Sequence, residues 1–287
     1  MVFLFFVISG YVLSVGIIRK MEQKQRHKIM ASLSSLAFRR TGRLFVPSLA
    51  ASFISYLLHM MGVQGQPAGH KPSFYNDTLF YLKEVKRIFT FYKWTTDELM
   101  WHLAPLWTIP VEFRCSMVLF VVLLALARCR RMPRYVVESA ILLDCWIKER
   151  WDVGCFMLGL IAAEAHVRSQ EANPNFENGP LASTAGFEGL LIEKSVGSLE
   201  GDKKWKKHAL WATFIVGLYL GSTPTVGACE TPWIAPLCSL TFQKQPWQYI
   251  MLPAAFMVVF SILFLPALQR PLVSAPVQYL GKLSYAM

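Results

Sequence analysis

The sequence predicts an all-α protein, a polytopic bundle of about seven membrane-spanning helices, and three observations predict it. Apolar residues make up 54% of the 287-residue chain and charged ones only 16%, against roughly 25% charged in soluble domains. The apolar residues fall in long uninterrupted runs rather than on short periodic faces. Bases gather in the gaps between those runs, as they do where loop charge sets membrane topology. The same facts exclude other classes. Six cysteines, widely scattered, do not make a secreted disulfide scaffold. A soluble enzyme would not group its apolar residues this way. The net charge of +11 does not imply a nucleic-acid partner, because the bases lie between apolar runs rather than on a soluble face among aromatics. Their expected contact is the lipid bilayer and its anionic headgroups.

Taken in order, the first run is Val2 to Ile18, uncharged and long enough to span. It lacks a basic leader or a small-residue cleavage site, so it is not read as a signal peptide. A basic stretch to Arg43 follows, with Arg19, Lys20, Lys24, Arg26, Lys28, Arg39, Arg40 and Arg43 set against the single acid Glu22. That imbalance places it on the cytosolic side. The second run, Leu44 to Met61, then leads outward to a long loop reaching Pro105. Asn76-Asp77-Thr78 in this loop is a glycosylation sequon, and the mixed stretch Thr78 to Phe91 suits a helix lying along the membrane surface.

The third run, Leu106 to Ala127, holds Glu112 and Arg114, and Arg128, Arg130, Arg131 and Arg134 follow on the inner side. Runs at Tyr135 to Ile147, Val153 to Val167, Leu210 to Ser222 and Ile250 to Leu268 complete the set. Residues 168–207 are polar, with balanced bases and acids, and read as a cytosolic insert. Alternating the loops leaves twenty bases inside and eight outside, so the N-terminus is expected on the outer face. Cys229 and Cys238 share an outer loop, as a disulfide or as two thiols, and no Cys or His spacing suits a metal.

Polar groups within spans are costly and mark candidate sites. In Leu106-Trp107-Thr108-Ile109-Pro110-Val111-Glu112-Phe113-Arg114, Glu112 and Arg114 sit about 200° apart around a helix and do not face each other. Each alternatively serves only to pair with another helix. In Phe38-Arg39-Arg40-Thr41-Gly42-Arg43, Arg40 and Arg43 lie three apart and project from one face. Two guanidinium forks there would grip phosphates, or would merely be ordinary inner-side charge. Acyl transfer commonly uses a histidine base. Of the six histidines, His59 and His102 stand near an embedded site, and each alternatively has a structural role.

These residues resemble the acyltransferase 3 family in its fungal form. Phe5-Phe6-Val7-Ile8-Ser9-Gly10-Tyr11, Arg39-Arg40-Thr41-Gly42-Arg43-Leu44-Phe45-Val46-Pro47 and Leu106-Trp107-Thr108-Ile109-Pro110-Val111-Glu112-Phe113 are similar to its ordered motifs. Trp151-Asp152, Gly159 and Ala163-Glu164 follow the same pattern, as does Tyr279 to Tyr285 more loosely. The resemblance implies a membrane domain over 1–287 with an insert at 168–207. It implies transfer of an acyl group, often acetyl, from an acyl-CoA (acetyl-CoA) donor to the hydroxyl of a small molecule or glycan, with no bound cofactor. By motif, Arg40 and Arg43 would take the donor, Trp107 would line the acceptor cavity, and Glu112 would be the buried acid. The family's histidine lies on a helix before the Phe-Phe motif, and this chain starts one residue ahead of the Val2 to Ile18 run that contains that motif. His102 is then the expected substitute, three residues before Pro105. The sequence accordingly reads as truncated at both ends and inactive as it stands. The competing reading is a non-catalytic, transporter-like protein or a remnant of an enzyme.

Overall fold

The computed structural model describes residues 2–25, 27–63, 74–90, 92, 104–171, 204–222, 247–272, 274, 277 and 279. Every regular element among the described residues is helical. In chain order these are α1 (Val2–Glu22), α2 (His27–Met60), α3 (Phe74–Ile88), a 3-10 turn (Ala104–Trp107), α4 (Thr108–Leu126), α5 (Arg131–Ile147) and α6 (Trp151–Glu171). Then come α7 (Lys204–Gly221), α8 (Trp247–Phe264) and α9 (Pro266–Leu272). The protein is a membrane helix bundle. Among the described residues three helices, α1, α2 and α4, are long and apolar enough to cross a membrane, and α8 carries a shorter apolar stretch over Tyr249–Phe264. The chain divides into two compact units, Met1–Arg26 with Leu126–Met287, and His27–Ala125.

In the first unit α6 is the centre. Its residues Asp152 to Leu160 are all buried, which requires neighbours on every side, and α1, α5 and α8 supply them. Lipid offers no hydrophobic drive between helices, so close approach depends on small side chains. Gly10 on α1 and Gly159 on α6 provide it. A Cβ at Gly10 would stand 2.5 Å from the Phe156 carbonyl oxygen, and one at Gly159 would stand 2.6 Å from the Tyr11 nitrogen. Aromatic rings close the crossing beside them. Phe6 stacks on Trp151 at 5.6 Å and meets Phe156 edge-on at 5.6 Å. Tyr11 and the Nδ1 of His166 lie 2.5 Å apart, so His166 is drawn inside the bundle and not left at a helix end. At the turn from α5 to α6, Glu149 takes a φ of 56°, and the Arg150 N–H bonds back to the Cys145 carbonyl at 2.8 Å. Asp144 stays at the surface, paired with Lys148 one turn on at 2.7 Å.

In the second unit the basic segment is not a loop. Helix α2 takes it in from His27, because neither Gly nor Pro interrupts the sequence before Gly42. Its 34 residues extend about 51 Å at 1.5 Å per residue, well beyond the roughly 30 Å of a hydrocarbon core. Helix α3 confirms a helix where a surface helix was expected, though it begins at Phe74 rather than Thr78. It buries Asp77, Glu84 and Ile88, and it exposes Tyr75, Leu79 and Leu82 beside Lys83 and Lys86. Phe45 of α2, Ile88 of α3 and Phe113 of α4 form a small shared core. Phe45 meets Phe113 edge-on at 5.1 Å and stacks on Phe89 at 5.2 Å. The Tyr56 and Tyr81 rings stack at 4.6 Å, holding α2 to α3.

Several boundaries differ from the expected runs for local reasons. Pro110 falls in the first turn of α4, where its missing N–H costs nothing, so it starts a helix rather than loosening one. The last apolar run breaks at Leu265, and Pro266 opens α9. The polar insert is trimmed at both ends, since α6 reaches Glu171 and α7 starts at Lys204. The rest of that insert, the Cys229 and Cys238 pair and most of Tyr279 to Tyr285 lie outside the described residues.

The glycine crossing leads to a stability prediction. Gly159→Val should lower the thermal stability of the detergent-solubilised protein by at least about 2 kcal/mol, because its Cβ meets backbone that has no room to retreat. Gly16→Ala has nothing within 4 Å and should leave stability unchanged or raise it by up to about 1 kcal/mol, since alanine is the better helix former. Equal melting temperatures for the two variants would contradict the crossing.

Candidate functional site

The site begins with the turn of α2 that carries three arginines. Arg39 faces outward, donating from Nε and Nη2 to the Ser35 hydroxyl at 3.1 and 2.7 Å. A single residue advances 100° around a helix, so Arg40 points elsewhere and is half-buried. Its Nη2 donates to Oε1 of Glu112 at 2.5 Å. Arg43 lies one turn further on, exposed, and near enough to Arg40 for the two charges to repel.

Glu112 reaches this position through the local geometry of its own segment. The 3-10 turn ends at Trp107, α4 begins at Thr108, and Glu112 follows in the second turn, 3% exposed. The next residue, Phe113, packs against Phe45 of α2, so the phenyl contact and the ion pair fix the same helix register. Ser116 donates its hydroxyl to the Glu112 carbonyl at 2.6 Å, within α4. A buried pair of this kind gains little over two apolar residues, but removing one partner costs about 3 to 5 kcal/mol. The Arg40 guanidinium is not used up by Glu112. Its Nε is buried without a hydrogen-bond partner among the described residues. The arrangement can hold an anion at Arg40 and Arg43 while Glu112 steadies the inner guanidinium.

The structure thus brings Arg40 and Glu112 together, two residues that the sequence reading assigned to different tasks. Arg43 stands beside them on α2. Trp107 is half-buried at the entry to α4. Arg114, 6% exposed, lies two residues past Glu112 on the same helix. His102 lies outside the described residues. His59 is buried in the last turn of α2. The sequence reading missed a second polar centre in the other unit, built on Glu22, Arg131, Arg134, Glu138, Glu164 and Glu171. A signal for it exists: Arg131, Arg134 and Glu138 recur at helical spacing, and so do Glu164 and Glu171.

The motifs on either side of the Arg40–Glu112 contact are those of a known family. The family pattern described as an acyltransferase domain, acyltransferase 3, matches residues 1–287. The chain belongs to the acyltransferase 3 family. Among similar proteins, it is 28% identical over 315 residues to the O-acetyltransferase PaAT-1 of Phomopsis amygdali, covering 100% of this chain and 60% of that protein. It is 26% identical over 321 residues to the acyltransferase clz18 of Cochliobolus lunatus, covering 99% and 65%. The acyltransferase R4 of a Phoma species is 24% identical over 319 residues, with 99% and 65% covered. The chain therefore spans about three fifths of the length of these curated relatives. No solved structure matches it.

The paired charges give a second prediction, a double-mutant cycle on stability. Arg40→Ala and Glu112→Ala should each destabilise the protein by about 3 to 5 kcal/mol, because each takes an ion-pair partner from a buried charge. The double variant should lose less than the sum of the two, with a coupling of about 1 kcal/mol or more. Strict additivity in thermal melts would show that the two side chains do not act as a pair.

Proposed function

We propose that this chain carries the core of a multi-pass, membrane-embedded O-acyltransferase. It moves an acyl group, acetyl in the simplest case, from acyl-CoA to the hydroxyl of a small molecule or glycan. The ion pair between Arg40 and Glu112 is the observation that carries this reading. It ties two family motifs into one locus and leaves the buried Nε of Arg40 without a partner among the described residues, and family membership over the whole chain supports it. The printed name of the Phomopsis relative, an O-acetyltransferase, supports the oxygen acceptor and the acetyl group.

In this reading the donor's phosphates dock on Arg43 and on the unused donors of Arg40, where charge-assisted bonds are strongest. Trp107 and Glu112 border the acceptor. The acceptor hydroxyl oxygen attacks the thioester carbonyl and gives its proton to His102, the carbon–sulfur bond breaks, and the coenzyme A thiolate leaves and is reprotonated. Glu112 holds Arg40 in place while this happens, so the donor is oriented before the acceptor arrives.

Direct binding of a labelled acyl-CoA to membranes containing the protein tests the donor site. Arg43→Ala should weaken binding by about 10- to 100-fold, the worth of one charge-assisted bond to phosphate, with insertion and melting unchanged. Arg43→Lys, which keeps the charge but loses the fork, should recover only part of that affinity. Unchanged affinity in Arg43→Ala would remove the donor role from this turn of α2.

A further inference from the structure

The first unit contains a polar seam that the proposed chemistry does not use. Helix α5 presents Arg131, Arg134, Tyr135 and Glu138 along one face, α6 presents Glu164, Arg168 and Glu171, and α1 brings Glu22 to the same end. A cleft of about 220 Å³ opens there, lined by Glu22, Arg131, Arg134, Glu164, Arg168 and Glu171 among others.

Most of these charges are matched. Arg131 donates to Glu22 Oε2 from Nε and Nη2 at 3.0 and 2.5 Å, and to Glu171 Oε2 at 2.7 Å. Arg134 is buried, and all three of its nitrogens are committed. Nη2 donates to Glu22 Oε1 at 2.7 Å, Nη1 to the Met21 sulfur at 3.4 Å, and Nε is in ion-pair contact with Glu164 Oε1. Nothing is left for Glu138. That side chain is 1% exposed, and neither of its carboxyl oxygens accepts a hydrogen bond from the described residues. Among the charged groups that act on it, the carboxyl of Glu164, itself 2% exposed, outweighs the guanidinium of Arg134.

Two carboxylates cannot face each other away from water without a positive charge between them. An unpaired buried charge costs several kcal/mol, and a like charge alongside adds to that. Among the described residues, the other elements offer no counter-charge that is not already engaged. On α6, Arg168 turns to Tyr135 and His166 to Tyr11. On α1, Arg19 is bonded to Gln170 of α6. Helix α8 has no charged residue, and its Tyr249 bonds to the Trp146 carbonyl at the far end of α5. Among the described residues no group of three or more His, Cys, Asp or Glu is placed to hold a metal ion. The geometry points to a proton-binding site: Glu138 and Glu164 share one proton, which exchanges with water through the cleft that Glu164 lines. The shared proton makes one carboxyl a donor to the other. It leaves the pair with a single negative charge beside Arg134, which also meets Glu22, and lets α5 and α6 close over the seam. The site takes up a proton without any contribution from the Arg40–Glu112 locus.

Infrared spectroscopy of the full chain in lipid nanodiscs tests this. The expected result is a protonated-carboxyl band that shifts when glutamate is isotopically labelled and again on transfer to D2O without unfolding. Glu138→Gln should remove the band, since Glu164 is then left alone with Arg134, and Glu164→Gln should remove it for the converse reason. Both variants should melt no lower than the wild type. Absence of the glutamate band in the wild type would overturn the proposal whether or not the variants fold. So would a band that survives both substitutions. A sodium-specific rise in melting temperature, measured against choline at equal ionic strength and lost in Glu138→Gln, would also overturn it by assigning the positive charge to a metal ion.

Discussion

A charge withdrawn from water has to find its opposite inside the protein, and in a chain this apolar the available opposites are few. The ion pair between Arg40 and Glu112 shows that constraint most directly. It joins the basic turn of α2 to the second turn of α4, and the packing of Phe45 on Phe113 holds the same register. The locus is asymmetric: the guanidinium of Arg40 has more donors than one carboxylate can occupy, whereas a carboxylate only accepts. On the proposed reading, an anion arriving at Arg43 would meet a second cation already oriented, with much of the ordering cost met in folding.

The other unit solves a different problem with the same physics. Its helices come together where glycine removes the side chain, at Gly10 and Gly159, and the neighbouring rings of Phe6, Trp151 and Phe156 fill the space around that contact. With α1, α5 and α8 on its sides, α6 has no free face at Glu164. Glu164 therefore turns into a seam where Arg134 and Glu138 wait on α5. One guanidinium serving Glu22 and Glu164 leaves the third carboxyl short of a partner. That imbalance makes the seam more than a structural clasp.

Much of the architecture was legible in the residues. The helical class, the approximate place of each helix and the projection of Arg40 and Arg43 from one side of a helix all followed from run length and spacing. The misjudged boundaries share a cause. Charge was taken as the end of a helix, but a basic segment without Gly or Pro continues as helix once it leaves the membrane, as His27 to Arg43 does in α2. Pro110 is carried without cost because it lies in the first turn of α4 and not in the interior. The Arg131, Arg134 and Glu138 stripe was visible at its spacing but was absorbed into the general excess of inner-side bases.

By itself the sequence determined that this chain is helical, lipid-facing and built on acyltransferase 3 motifs, because run length, charge placement and motif order are local properties that a chain carries before it folds. Only the tertiary structure decided which charges meet. Arg40 and Glu112 are 72 positions apart, and Tyr11 and His166 are 155 apart. No periodicity spans such distances. Pairing across helices is set by which faces pack and at what rotation, and a rotation of one residue, about 100°, would have given Glu112 a different neighbour.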